Sequence, residues 1–338
     1  TQSAGVAADW NAAYMKALGE GFERYAAGVY RDADFETAPA DHEDAVPAVE
    51  FVRPDDASEP TGDREWVRGR HLGSGDPALL PADRVVFPPP EERPGTITTG
   101  LGLGNSGVGA VLSGLYEVVE RDATMLSWYS TFEPLGLRVD DPAFDELERR
   151  ASAENLDVTA LLCTQDVDVP VVAVAVHRED WPRFALGSAA DLDAEAAATD
   201  ALCEALQNWM ELRAMGPEQA ADEDGAIGTY ADFPRSVRGF VDPETTIPAG
   251  EVGPEEPPEG AAELDAVLDA LDDSGLDAYA ARLTTRDLED AGFEAVRVLA
   301  PEAQPLFVDE PYFGERARAV PRELGFQARL DKPFHPFP

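Results

Sequence analysis

A helical spacing of apolar residues sets in within about ten positions of Thr1 and carries Ala17, Leu18, Phe22 and Tyr25. Residues 32–94 break that pattern with Pro, Asp and Gly, and read as a long excursion between two helices. Inside it, residues 66–69 look ordered and residues 84–87 look like a strand. Residues 96–103 read as extended, and a glycine-rich turn then opens a long helix ending near Trp128. A helix over 142–154 is followed by strands at 158–163, 169–177 and 184–187. Asp191 is placed to cap an alanine-rich helix that reaches about Ala214. Residues 216–260 carry few periodic apolar positions and predict a surface loop or mobile insertion. A helix at 262–272, a strand at 278–283, a short helix from Arg286 and a strand at 295–299 follow. The order predicts a mixed α+β fold. The closing Lys332-Pro-Phe-His-Pro-Phe-Pro338 suits neither helix nor sheet interior, and is expected to dock as an extended peptide.

Composition narrows the setting. The chain has 338 residues, 44% of them hydrophobic, enough for one large domain or two small ones. Acidic residues number 67 against 26 basic, a formal net charge of -41, and the acids are dispersed instead of gathered in a tail. Lys16 and Lys332 are the only lysines. In molar salt the Debye length falls to roughly 3 Å and such a surface stops repelling itself. The expectation is a protein of a cell that accumulates salt. Neither a run of eighteen apolar residues nor a basic segment ahead of an apolar one occurs, so no membrane span or secretory signal is expected and the location is read as cytoplasmic. The chain opens at Thr1 without methionine, and an upstream piece is expected to be missing. Strong negative charge disfavours a nucleic-acid partner. Cys163 and Cys203 lie in apolar contexts without CxxC pairing and read as small core residues. The four histidines show no ligand spacing.

Three helices repeat one device: Glu20-Gly-Phe-Glu23-Arg24, Glu117-Val-Val-Glu120-Arg121 and Glu204-Ala-Leu-Gln207. In each, the first and fourth residues project from one helix face. Two such carboxylates repel one another, and solvent, arginine or a cation must answer the repulsion. Two readings stay open on residue chemistry. The motifs are i to i+4 ion pairs on wet helix faces, each contributing about 0.3 kcal/mol. Or, flanked as they are by apolar residues, they are partly buried and hold a hard cation such as magnesium together with a nucleotide. Residues 100–109 also read two ways, as a tight strand-to-helix turn or as a backbone cradle for an anion at a helix N-terminus.

The stretch Thr98-Thr-Gly-Leu-Gly-Leu-Gly-Asn-Ser-Gly-Val-Gly-Ala-Val-Leu-Ser-Gly-Leu-Tyr-Glu117-Val-Val-Glu120-Arg121-Asp122-Ala123 resembles the YcaO family. So do Gly19-Glu20-Gly-Phe-Glu23-Arg24-Tyr25 and Ala201-Leu-Cys-Glu204-Ala-Leu-Gln207, in the family's order. Trp66-Val-Arg-Gly69, Val298-Leu-Ala-Pro301 and the proline-rich end agree as well, so the resemblance covers nearly the whole chain. It implies mixed sheets with packed helices around a central site for ATP and Mg2+, built over residues 1–318, with 319–338 as a proline-rich tail. It implies magnesium ligation by Glu20, Glu23, Glu117, Glu120 and Glu204, and ATP binding by Arg24, Asn105, Arg121, Gln207 and, in its Val-Arg-Val strand, Arg297. The implied reaction is ATP-dependent phosphorylation of a backbone amide during azoline or thioamide formation on a peptide or protein. A homodimer and a partner that presents substrate or delivers sulfur are implied with it.

This chain departs from the family at Lys16, where serine is common, and at Asp200 and Trp209, where arginines are common. Those departures keep a second hypothesis in view, a nucleotide-binding adaptor or regulator with weak catalysis. A third makes the acidic helices salt-solvated surfaces that bind no ATP.

Overall fold

The computed structural model describes residues 3–54, 62–89, 97–222 and 225–338. They form two compact units, one of residues 19–122 and 258–316, the other of residues 3–18, 123–257 and 317–338.

The first unit is built on an antiparallel sheet ordered Glu36–Pro39, Asp63–His71, Tyr279–Arg282, Glu294–Leu299, Leu101–Gly104, with Pro77–Pro81 also paired to Asp63–His71. The segment expected as an excursion thus contributes three strands. Their local signal is weak because Pro and Asp bound them, and long-range pairing supplies what propensity does not. Trp66 is fully buried and donates through Nε1 to the Ala38 carbonyl at 3.1 Å. Residues 84–87 are not a strand. Ala82–Val85 forms a short helix, and Val85 and Val86 join Phe51, Leu80, Ala281 and Leu299 in the core. The Trp10–Gly28 helix contributes Ala26 and Phe22 to a second cluster with Leu288 and Ala295.

In the second unit the order is Phe184–Ala190, Val171–His177, Asp157–Leu162, Leu135–Arg138, Thr246–Pro248, antiparallel except for the last pair. Val172, Val174, Val176 and Ala185 on this sheet pack with Ala197, Ala198, Ala201, Leu202, Ala205 and Trp209 of the Ala194–Ala220 helix. The small residues let that helix lie close to the strands. Asp193 caps it, accepting from the N–H groups of Glu195 and Ala196, in place of the expected Asp191. The helical run goes on past Ala214, broken only at Gly216 (φ 80°, ψ 163°).

The stretch 216–260, expected to be a loop, folds into Ala226–Tyr230, Arg235–Arg238 and Thr246–Pro248 among its described residues. It buries Tyr230, Val237, Phe240 and Ala249, spaced too irregularly to show a period. The C-terminal tail docks as an extended peptide on the same unit. Trp128 Nε1 donates to the Pro333 carbonyl at 2.9 Å, Tyr230 to the Phe334 carbonyl, and Phe337 is fully buried. Cys163 and Cys203 are both free and buried. No helix among the described residues is long and apolar enough to cross a membrane.

Candidate functional site

Most of the motif residues fall in the first unit. The Trp10–Gly28 helix carries Glu20, Glu23 and Arg24, the Gly107–Trp128 helix carries Glu117, Glu120 and Arg121, and the Glu294–Leu299 strand carries Arg297. The strand Leu101–Gly104 pairs with Glu294–Leu299, setting Leu101 opposite Arg297, and then turns into the Gly107–Trp128 helix. That turn is tight. A Cβ on Gly102 would stand 2.1 Å from the Ala110 carbonyl oxygen, so only glycine lets the helix approach its own strand. Asn105 sits exposed in the bend.

The acidic residues converge. Burial pushes the Glu23 carboxyl up to about 8, and the neighbouring charges of Glu117 and then Glu20 push in the same direction, against an N–H from Leu103. Glu117 is raised by burial as well, while Arg121, the Gly100 N–H, Arg297 and Arg24 draw it back. Glu20 pairs with Arg24 at 2.6 Å, and Glu120, 8% exposed, lies 3.7 Å from Nε of Arg121. The sequence's wet ion-pair reading holds for Glu20 and Arg24, each about a third exposed, and fails for Glu117 and Glu120.

Arg297 is 5% exposed. Its Nη2 donates to the Ile97 carbonyl at 2.7 Å, but Nε and Nη1 are buried with no hydrogen-bond partner. Burial lowers its pKa to about 10, with Glu117 opposing the shift and Arg84 adding to it, so it stays a cation at neutral pH. A guanidinium with two unpartnered nitrogens suits the oxygens of a phosphate. Crowded, desolvated carboxylates suit a hard cation. The described residues hold no group of three or more His, Cys, Asp or Glu able to bind a metal by themselves.

Residue spacing carries no sign of the support beneath this site. Asp122, 1% exposed, accepts from Nη2 of Arg316 at 2.7 Å and from Nε at 3.1 Å, and from the backbone N–H of Gln304 at 2.6 Å. It follows Arg121 directly and fixes that turn of the helix. Its place in the Glu-Arg-Asp-Ala run was the only available signal.

Glu204 and Gln207 belong to the second unit, both partly buried on the Ala194–Ala220 helix. The backbone N–H of Ser188 donates to Oε2 of Glu204 at 2.6 Å, and Asn208 donates to the Leu186 carbonyl at 2.9 Å, tying the helix to the Phe184–Ala190 strand. Two of the departures from the family pattern answer each other here. Lys16 Nζ lies 2.6 Å from Oδ1 of Asp200. The third, Trp209, is buried, and the guanidinium groups of Arg178 and Arg213 lie over its ring at 4.8 and 5.3 Å.

A family model described as YcaO cyclodehydratase, ATP- and Mg2+-binding, matches residues 4–304. An uncharacterized protein of Methanothermobacter thermautotrophicus is 28% identical over 335 residues, covering 94% of this chain and 85% of its own length. Among solved structures, YcaO from Methanopyrus kandleri bound with AMPPCP and Mg2+ is 26% identical with a TM-score of 0.68, over 89% of this chain and 79% of that one. A heterocyclase in complex with substrate and cofactor is 21% identical with a TM-score of 0.78 over 96% of this chain. The heterocyclase TruD is 19% identical with a TM-score of 0.70 over 92%. This chain spans 47% and 48% of those two heterocyclases, and the likeness to them is one of fold, α+β with two sheets and packed helices. A family match from residue 4 to 304, carried on the fold those structures share, places this chain in the YcaO cyclodehydratases, a family that binds ATP and Mg2+.

Proposed function

We propose that the protein uses ATP and Mg2+ to phosphorylate a backbone amide of a peptide or protein during azoline or thioamide formation. The observation that carries this reading is the crowding of Glu20 and Glu117 about Glu23, with Arg297, whose Nε and Nη1 lack partners, beside Glu117. On this reading Glu20, Glu23, Glu117, Glu120 and Glu204 hold magnesium, and Arg24, Asn105, Arg121, Gln207 and Arg297 hold the nucleotide. Bound ATP with its metal supplies an electrophilic phosphoryl group. The chain's own residues orient it, lower its charge and keep water from it. A nucleophile, a substrate side chain or sulfide, attacks the amide carbonyl, and the resulting oxyanion takes the γ-phosphoryl group as ADP leaves. Loss of phosphate then leaves the ring or thioamide.

The relative that was bound with AMPPCP and Mg2+, at 26% identity, supports the cofactor assignment. The setting we infer is a salt-rich cytoplasm, with a homodimer assisted by a partner that presents substrate or delivers sulfur. The adaptor reading draws on the Lys16–Asp200 pair, which spends a cation that would otherwise be available to phosphate.

The test is calorimetric titration of ATP with magnesium in molar potassium chloride. The wild type is expected to bind, and Glu117→Gln and Glu204→Gln each to weaken binding at least about tenfold. A wild type that binds nothing overturns the proposal. Consumption of ATP that depends on a peptide substrate separates the enzyme from the adaptor.

A further inference from the structure

A pocket in the first unit is walled by Phe51, Val52, Leu299 and Pro301 and by the guanidinium-bearing residues Arg84, Arg121 and Arg297. Among the described residues, no Asp or Glu lines it. In a chain with 67 acids and 26 bases, a cavity whose described lining carries three arginines and no acid runs against the overall charge. Arg297 supplies the second, independent sign of a ligand: 5% exposed, it lines this cavity and keeps Nε and Nη1 without a partner.

Arg84 was not singled out by any motif. It sits half-buried on the Ala82–Val85 helix, its guanidinium 5.6 Å above the Phe51 ring, close enough to Arg297 to depress that residue's basicity. Two like charges set close in a mostly apolar cavity repel, and a bound oxyanion removes that repulsion.

We infer that Arg84 is a phosphate-binding residue of this protein, forming with Arg121 and Arg297 an oxyanion subsite against apolar walls. The inference rests on the nucleotide reading above for what the subsite does, namely to receive the phosphoryl group or the phosphate released from it. The binding of an oxyanion does not depend on that reading.

The experiment is calorimetric titration with inorganic phosphate at fixed potassium chloride, with ATP and magnesium titrated separately. The wild type is expected to bind phosphate, Arg84→Ala to weaken it about tenfold or more, and Arg84→Lys to fall between. Thermal melts check that the variants fold, and should Arg84→Ala not fold, the lysine variant decides. Phosphate bound equally by wild type and variants, or not bound by the wild type, overturns the inference even where ATP with magnesium binds. Arg84-dependent phosphate binding without ATP binding sustains it and sinks the nucleotide reading instead. Acetate binding as tightly as phosphate would assign the pocket to a carboxylate and overturn it too.

Discussion

The backbone N–H of Gly100 donates to Oε2 of Glu117 at 2.9 Å, so the turn that starts the glycine-rich stretch also holds the acidic helix's first carboxylate. Gly100 has φ +86°, and a Cβ there would stand 2.1 Å from the Val298 carbonyl oxygen. Replacing it with alanine meets both the left-handed penalty and a backbone clash. Gly100→Ala is expected to cost more than about 2 kcal/mol in urea unfolding. Gly107→Ala, at a position with nothing within 4 Å of the added carbon, is the control and should cost nothing measurable. Equal midpoints for the two variants would remove the argument.

The Glu23 carboxyl makes the ligand-free protein sensitive to pH. Its native pKa of about 8 lies above the ordinary 4.5 of the unfolded chain, so between those values the native state binds more protons. Stability is therefore greatest at the acid end of this window and falls as pH rises through it, by at most about 1.4 kcal/mol per pH unit. In metal-free buffer the melting temperature should drop between pH 5.5 and 8, and Glu23→Gln should flatten that decline. An identical slope in the variant would show that Glu23 is not the group responsible.

Asp122 and Arg316 form a buried pair two bonds wide. Removing one partner strands the other's charge, which costs about 3–5 kcal/mol, whereas removing both costs less. Arg316→Gln should unfold at markedly lower urea than wild type, and Asp122→Asn with Arg316→Gln should recover part of the loss. Additive losses in the double variant would mean the two act separately.

Local pattern made the acidic helices and the second unit's central strands legible, because their apolar positions repeat within a few residues. Pairings across great sequence distance were not. Arg316 lies 194 residues from Asp122 and Lys16 lies 184 from Asp200, and no local period reports such partners. The strands Glu36–Pro39 and Pro77–Pro81 form because sheet neighbours satisfy their backbone, although Pro within them argues against strand by propensity. Arg84 stayed hidden for a related reason. Its β-branched neighbours Val85 and Val86 read as a strand, while Pro81 starts a helical turn that aims the arginine at the cavity. The acidic motifs themselves were visible, but only folding shows that Glu117 and Glu23 share one desolvated place.

The net charge of -41 carries the last prediction. With 26 basic residues for 67 acids, most carboxylates have no cation to pair with, and their mutual repulsion opposes the compact state. Unfolding spreads the charges apart, so the repulsion weighs more on the native state than on the unfolded one. Screening relieves it: the Debye length shrinks from about 10 Å at 0.1 M to about 3 Å at 1 M salt. Raising potassium chloride from 0.1 to 2 M should lift the melting temperature by roughly 10 °C, most of it below 1 M, where screening changes fastest. Sucrose at matched osmolality leaves the charges unscreened and should not reproduce the steep early rise. A melting temperature that stays flat or falls with salt would show that the repulsion is already met within the fold, and the salt-adapted reading of this surface would go with it.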